Sequence, residues 1–226
     1  MAVGACTSRA GTWVVVIDDG FGYNHSCLSP NCLTSPDFDW DSLSNGRNGD
    51  HDFDPFGQVG DAHGTAVNGI IGSDDNGTGA VGVACSAILV GYRTHGFISD
   101  ARPQDIRDSI HHAIVTALAD IANPSLSLSN SIASVFGAGV DAARFTEFAT
   151  SIGTAMNSGR GGLGMTIVKS AGNSRDDGPD SGTALDLDDV NADPWTRDTR
   201  QVVVAAADQT RTGSCRTIRA SAQPTS

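Results

Sequence analysis

Basic charge, glutamate and long hydrophobic runs are all scarce in this sequence. Its 226 residues hold 14 lysines and arginines against 26 acidic residues, and the formal net charge is −12. Such a charge argues against nucleic acid or an anionic membrane as the main partner. No apolar run approaches the length of a membrane-spanning helix, and no signal-peptide hydrophobic core precedes the first predicted strand. We therefore expect no nucleic-acid partner, no membrane partner and no export signal in the chain as written.

Cysteine is scarce as well. The five cysteines are too few and too irregularly spaced for a disulfide scaffold or a zinc site: Cys6, Cys27, Cys32, Cys85 and Cys215. Cys27 and Cys32 could close a small loop in an oxidising compartment. The odd count leaves at least one thiol free.

The acidic residues are almost all aspartates. Glu147 is the only glutamate, and many of the aspartates stand in loops rich in glycine and asparagine. Short carboxylates in turns are common calcium ligands, but aspartate also favours turns and helix caps for its own hydrogen-bonding reasons. Composition alone leaves both interpretations open.

Strand and helix patterns alternate along the chain, whose length fits one domain with a sizeable core. We predict strands at 12–17, 86–92, 125–128, 164–169 and 201–206, and helices at 63–72, 103–119 and 140–157. This alternation predicts an α/β fold with a mostly parallel central sheet and helices on both faces. Functional side chains in such folds lie at the carboxyl ends of strands. The long polar region 21–62 is also expected to be functional, because long loops in compact domains usually are.

Two segments, 77–82 and 159–164, match the pattern G-x-G-x-x-G. The dinucleotide-binding form of this motif follows a strand and opens a helix, so that the phosphates meet the helix N-terminus. Both segments here follow a predicted helix and lead into a strand. They therefore indicate turns, and nucleotide binding is a distant alternative.

Three segments carry side chains suited to acyl transfer. VVVIDDG places Asp18 at the end of a strand, DAHGTAV places His63 at the start of a helix, and IVKSAGNS places Asn173 just after another strand. A histidine base needs a carboxylate to fix its tautomer, and an amide donor can stabilise an oxyanion. Each residue alone is an ordinary turn, helix-end or loop residue. Together, in this order, they predict a catalytic site.

These segments resemble the aspartate, histidine and oxyanion-hole motifs of the subtilisin-like serine proteases. The similarity runs from about residue 12 to residue 208, and the pair Asp18-Asp19 and the loop 52–55 are similar to the kexin or proprotein-convertase branch. The resemblance implies a single subtilisin-like peptidase domain over residues 1–226, incomplete at both ends. It also implies peptide or protein substrates and a secreted location.

The resemblance assigns roles to individual residues. Asp18 would orient His63 and stabilise its charged form, His63 would act as general base, and the Asn173 amide would donate to the oxyanion. It further implies structural calcium at Asp39, Asp52 and Asp54. A second calcium loop would contain Asn76, in which Cys27 replaces the family's aspartate ligand.

The nucleophile motif of that family, Gly-Thr-Ser-x-x-x-Pro, does not occur in the sequence. Ser214 and Ser221 stand in other contexts, and residues 211–226 hold three arginines and no acid. One hypothesis is an incomplete gene product with a frameshifted tail, which the abrupt change of charge favours. The other is a calcium-stabilised, non-catalytic pseudoprotease that binds peptides. Under either hypothesis we expect this chain to hydrolyse peptides poorly or not at all.

Overall fold

The computed structural model describes residues 11–40, 62–94, 103–115, 118–126, 142–171, 196 and 198–205. Its strands are β1 (Trp13–Asp18), β2 (Phe38–Asp39), β3 (Ile88–Arg93), β4 (Ile121–Pro124), β5 (Thr166–Ser170) and β6 (Val202–Val204). They form one six-stranded sheet in the order β2-β3-β1-β4-β5-β6. Every neighbouring pair is parallel. The predicted parallel sheet is confirmed.

Strand β1 lies in the middle of the sheet and is buried on both faces. Its run of β-branched residues suits that position, because a central parallel strand is covered by helices above and below. Val15 and Ile17 point into one apolar cluster, while Val14 and Val16 point into the other. This alternation is the period of two of a strand, and it delivers Asp18 to the carboxyl edge of the sheet.

The helices α1 (His63–Gly72), α2 (Pro103–Val115) and α3 (Ala142–Gly162) lie on opposite faces of this sheet. Helix α1 contributes Val67 and Ile71 to the cluster around Val14. Helices α2 and α3 contribute Ile110 and Ile152 to the cluster on the other face. The predicted arrangement of helices on both faces is therefore confirmed. None of the helices described is long and apolar enough to cross a membrane.

The predicted strand at 125–128 is wrong in position. The strand is β4, which ends at Pro124, and residues 125 and 126 are not in a strand; residues 127 and 128 lie outside the described residues. The short sequence Ile-Ala-Asn-Pro carries no alternating apolar pattern, and its asparagine and proline are typical of turns. The segment is nevertheless a strand, because it pairs in parallel with β1 in a sheet that is covered on both faces.

Both glycine-rich segments are turns, as predicted. Gly77 and Gly79 have φ of 77° and 70°, and Gly161 and Gly164 have φ of 68° and 83°. These left-handed conformations suit glycine, which lacks a Cβ. The regular part of α3 ends before Gly159, where the backbone leaves helical geometry.

The small loop that Cys27 and Cys32 could have closed is not formed, because both are free thiols. The Cys27 thiol donates to the carbonyl of Thr78 at 3.4 Å, and that of Cys32 donates to the carbonyl of Leu28 at 3.1 Å. Burial raises the pKa of Cys32 to about 12, so that this thiol stays protonated at neutral pH.

Candidate active site

Asp18 and His63 meet at the carboxyl edge of the sheet. The Nδ1 atom of His63 lies 2.8 Å from Oδ1 and 3.0 Å from Oδ2 of Asp18. The Asp18 side chain is 3% exposed and that of His63 is 62% exposed. A buried carboxylate thus holds one nitrogen of an imidazole whose remaining surface is open to solvent.

Gly64 allows the helix to come this close to β1. A Cβ at this position would stand 2.3 Å from the carbonyl oxygen of Gly20 and 2.7 Å from the Cβ of Asp18. Thr65 adds a second tie, since its hydroxyl accepts a hydrogen bond from the N–H of Gly22 at 2.9 Å. The two residues after His63 therefore dock α1 against the turn that follows β1.

Asp19 joins the same two elements. Its Oδ2 accepts from the N–H of His63 at 3.1 Å, and its Oδ1 accepts from the N–H of Gly64 at 2.7 Å. The N–H of Asp19 in turn donates to Oδ1 of Asp18 at 2.8 Å. The two neighbouring carboxylates thus do different work: Asp18 binds the imidazole, and Asp19 binds the backbone that carries it.

A buried ion pair lies next to this turn. Arg93, at the end of β3, donates from Nη1 to Oδ2 of Asp39 at 2.8 Å and from Nε to the carbonyl of Asp19 at 3.2 Å. Both charged side chains are almost fully buried. Since Arg93 and Asp18 are partners in the register of β1 and β3, the ion pair anchors the strand end that bears the carboxylate.

The pKa values of Asp18 and His63 follow from their unequal burial, because the Asp18 carboxyl is almost fully buried and the His63 ring is largely exposed. Burial raises the pKa of Asp18 to about 6, against the hydrogen bonds from Asp19 and His63, which lower it. The hydrogen bond to Asp18 raises the pKa of His63, and the charges of Asp18 and Asp19 add to this effect, while partial burial opposes it. With Nδ1 bound to the carboxylate, a neutral imidazole offers its other nitrogen as a base.

The structure describes four of the predicted site residues, Asp18, His63, Asp39 and Asn76. It brings together Asp18 and His63. Asn173, Asp52 and Asp54 lie outside the described residues. Strand β5 ends at Ser170, shortly before Asn173, at the same carboxyl edge as Asp18.

Asp39 and Asn76, the other predicted calcium ligands, already have hydrogen-bond partners. Asp39 pairs with Arg93 as described above. The Oδ1 atom of Asn76 accepts from the N–H of Thr78 at 3.1 Å and from its hydroxyl at 2.7 Å, and its Nδ2 donates to the carbonyl of Ser26. The loop around Asn76 therefore offers an ion no free side-chain oxygen at that residue. The ligands of this loop do not fit calcium well, because Cys27 offers a thiol where calcium prefers a carboxylate oxygen.

Asp18, Asp19 and His63 also lie close enough to share a metal ion, with ligand atoms within 4.8 Å of one another. Each of the four carboxylate oxygens of this cluster already accepts a hydrogen bond. An ion at this place would compete with these donors for the carboxylate lone pairs.

The sequence patterns did not predict the structural roles of Asp19, Arg93 and Thr65. One signal pointed to Asp19: Ala62, the residue before α1, has no side chain that can cap a helix, so the cap had to come from elsewhere. No comparable signal marks Arg93, whose contact with Asp19 joins residues 74 positions apart.

A parallel α/β sheet with an aspartate and a histidine paired at its carboxyl edge is an arrangement found in hydrolases with a catalytic triad, and comparison with known proteins gives the family. The profile of the subtilase family matches residues 9–220, and the chain belongs to this family. No curated protein was found to match the chain.

Solved structures support the fold. The chain is similar to the serine protease of Aeromonas sobria in complex with its chaperone ORF2, with 24% identity and a TM-score of 0.53 over 73% of this chain and 25% of that one. It is also similar to the epidermin leader peptide processing serine protease EpiP of Staphylococcus aureus, with 18% identity and a TM-score of 0.54 over 72% and 37% of the two chains. The chain thus spans between a quarter and two fifths of the length of these proteases.

Proposed function

We propose that this chain provides the aspartate and histidine of a serine endopeptidase site of the subtilase type, acting on peptide or protein substrates. The observation that carries the proposal is the contact of 2.8 Å between the His63 imidazole and the buried Asp18 carboxylate. An exposed histidine held by a buried carboxylate is the arrangement that a general base needs when it activates a hydroxyl nucleophile.

Each residue of the pair has a defined task in this proposal. His63 takes the proton from a serine hydroxyl as the hydroxyl attacks the peptide carbonyl, and it later gives a proton to the leaving amine. Asp18 accepts the hydrogen bond from Nδ1 and stabilises the imidazolium that forms in between. The side-chain amide of Asn173 donates to the developing oxyanion. Because the pKa of His63 is raised, the neutral base predominates only on the alkaline side of that raised value.

The nucleophile is the open part of the proposal, because the 226 residues contain no Gly-Thr-Ser-x-x-x-Pro segment. A triad without its serine keeps at most weak catalysis from the oxyanion donors and from substrate binding. We therefore expect the chain by itself to be nearly inactive. The alternative function, peptide binding without hydrolysis, rests on this same feature of the sequence.

The test is intact-mass analysis after treatment with a fluorophosphonate probe. It is applied to this chain and to the longest product of its gene, each beside its His63→Ala variant. We expect no adduct on the chain of 226 residues, and one adduct on the longer product that disappears in His63→Ala. An adduct on this chain at Ser214 or Ser221 would show that the nucleophile lies within it. A longer product that stays unlabelled would favour the peptide-binding function.

Several finer expectations belong to the same proposal. The adjacent carboxylates Asp18 and Asp19 support placement in the kexin or proprotein-convertase branch. The proposal further includes a single peptidase domain, a secreted location and no nucleic-acid or membrane partner. Structural calcium is also proposed at Asp39, Asp52 and Asp54, and at Asp39 the ion would compete with the Arg93 guanidinium that holds this carboxylate. Calorimetric titration of metal-free chain with Ca²⁺, beside Asp54→Asn, would show heat of binding only in the unsubstituted chain.

A further inference from the structure

Helix α1 begins at the residue that carries the imidazole, yet it has no cap of its own. Ala62 makes no side-chain hydrogen bond to the helix, and the first turn contains no acidic residue. The first N–H groups of a helix have no partners inside the helix and must find acceptors elsewhere. Here the N–H groups of His63 and Gly64 both donate to the carboxylate of Asp19, which lies 44 and 45 residues earlier in the chain.

The backbone of Asp19 is itself fixed. Its N–H donates to Asp18 at 2.8 Å, and its carbonyl accepts from Nε of Arg93 at 3.2 Å. Arg93 is buried and is held by Asp39. The carboxylate of Asp19 therefore projects from a rigid strand end, and the helix N-terminus that it caps is held at a fixed place relative to Asp18.

We propose that Asp19 is a positioning residue, which holds the start of α1 so that the His63 ring stays within hydrogen-bond reach of Asp18. This inference rests on the proposed function of the Asp18–His63 pair. The two adjacent carboxylates then have separate roles, since Asp18 binds the imidazole of His63 and Asp19 binds the backbone N–H groups of His63 and Gly64.

The physical reason is that His63 is the first residue of the helix. A helix end without acceptors frays, and fraying there displaces the catalytic side chain directly. The hydrogen bond of Nδ1 to Asp18 tolerates little displacement, because a shift of about 1 Å in a reacting group can cost about a hundredfold in rate. Asp19 also contributes negative charge close to the ring and to the positive end of the helix.

The test compares Asp19→Ala, Asp19→Asn and the control Asp75→Ala. Alanine removes both acceptors, whereas asparagine keeps one acceptor oxygen and loses the charge. Asp75→Ala makes the same change of charge in an exposed loop beyond the other end of α1. The readouts are NMR of the ring Nδ1–H of His63, the pH titration of His63, and hydrogen exchange of the backbone amides of residues 63 and 64.

We expect both amides to exchange about tenfold faster or more in Asp19→Ala, as for a helix that loses its cap. We also expect the pKa of His63 to fall towards its ordinary value and the Nδ1–H signal to broaden. Asp19→Asn should lie in between, with partial protection retained at residue 64, and Asp75→Ala should match the unsubstituted chain. A His63 signal, titration and exchange that are unchanged in Asp19→Asn would overturn the inference, even where Asp19→Ala does not fold.

The Asp18→Asn variant separates this inference from the proposed function. If the Nδ1–H signal of the unsubstituted chain does not depend on Asp18, the catalytic pair is refuted, whatever Asp19 does. If the signal depends on Asp18 but is the same in the Asp19 variants, the pair stands and the positioning role is refuted.

Discussion

His63 and His112 each place Nδ1 within hydrogen-bond distance of an oxygen, yet folding moves their pKa values in opposite directions. His63 is bound to Asp18 at 2.8 Å and is largely exposed, and the hydrogen bond to the carboxylate raises its pKa. His112, on α2, is bound to the hydroxyl of Tyr92 at 2.7 Å, and burial lowers its pKa. Its ring packs 5.2 to 5.3 Å from the rings of Phe38, Trp40 and Tyr92.

The difference shows that the charge of the partner decides what a histidine can do. A buried carboxylate stabilises an imidazolium, so His63 can accept a proton in the course of a reaction. A phenol in an aromatic cluster offers no such compensation. Burial and the nearby charge of Asp37 raise the pKa of Tyr92, so its hydroxyl stays protonated. The environment of His112 therefore favours its neutral form, although its hydrogen bond is as short as that of His63.

The largest expected effect comes from adding a side chain at the point where α1 approaches β1. In Gly64→Ala the new Cβ would meet the backbone at 2.3 Å, and we expect a loss of about 3 kcal/mol in unfolding free energy, measured with denaturant. The control is Gly69→Ala, whose Cβ would meet only the hydroxyl of Ser73 at 3.4 Å. That change should be neutral or stabilising by about 0.5–1 kcal/mol. Equal effects at the two glycines would contradict the close approach that brings His63 to Asp18.

Removing the hydrogen bond of the other histidine should have a smaller effect. Tyr92→Phe deletes the hydroxyl that binds His112 and leaves the ring cluster intact, so we expect a loss of about 1–2 kcal/mol in unfolding free energy. The titration of His63 should not change, because His63 and His112 belong to helices that pack on opposite faces of the sheet. A shift of the His63 pKa in Tyr92→Phe would show that the two histidines are coupled.

The pH dependence of stability should have opposite signs at the two histidines. The folded pKa of His63 lies above the ordinary value of 6.5, so its stabilising contribution is fully present below pH 6.5 and is lost as pH rises through the folded pKa. The folded pKa of His112 lies below 6.5, so stability is lost as pH falls from 6.5 through that value. We expect His63→Asn to reduce the loss of stability above pH 6.5 and His112→Asn to reduce the loss below it, when unfolding of each variant is compared with that of the unsubstituted chain between about pH 5 and pH 8. Slopes of the same sign would contradict the comparison.

The smallest effect concerns a buried amide one turn after His63. Asn68 donates from Nδ2 to the carbonyl of Gly64, but its buried Oδ1 has no hydrogen-bond partner. We expect Asn68→Ala to change the unfolding free energy by less than about 1 kcal/mol, since an unpaired acceptor is removed together with one hydrogen bond.

Asn31 is the matched control for this substitution. It donates to the carbonyls of Gly72 and Cys85, and Asn31→Ala should cost about 1–3 kcal/mol, because buried carbonyls lose their donor. A larger loss at Asn68 than at Asn31 would contradict this assignment.

The sequence predicted the parts of the molecule whose cause is local. The β-branched run of β1, the apolar run of β3 and the amphipathic pattern of α2 are confirmed because each depends on its own apolar residues. The helix predicted at 103–119 is shorter than expected, since α2 ends at Val115 and residues 118 and 119 are not helical. The strand β2 was missed, since it is two residues long inside a polar region, and β4 was misplaced because neighbouring strands impose its conformation.

The candidate site divides in the same way. Asp18 and His63 could be found because each ends or begins a predictable element, and the fold brings such ends together. The contacts of Asp19 with α1, of Arg93 with Asp19 and of His112 with Tyr92 join segments that are distant in sequence. No local pattern identifies these partners, although Ala62 at the start of α1 indicates that the helix needs an acceptor from elsewhere. The oxyanion donor Asn173 and the calcium ligands Asp52 and Asp54 stay predictions.

The most direct test of the account is an NMR titration of both histidines in the unsubstituted chain and in Asp18→Asn. We predict that His63 titrates above the ordinary value and His112 below it, and that Asp18→Asn lowers the pKa of His63 while leaving that of His112 unchanged. If the pKa of His63 is the same in both proteins, then Asp18 does not support the imidazolium, and the chain does not carry the acid–base pair of a serine protease.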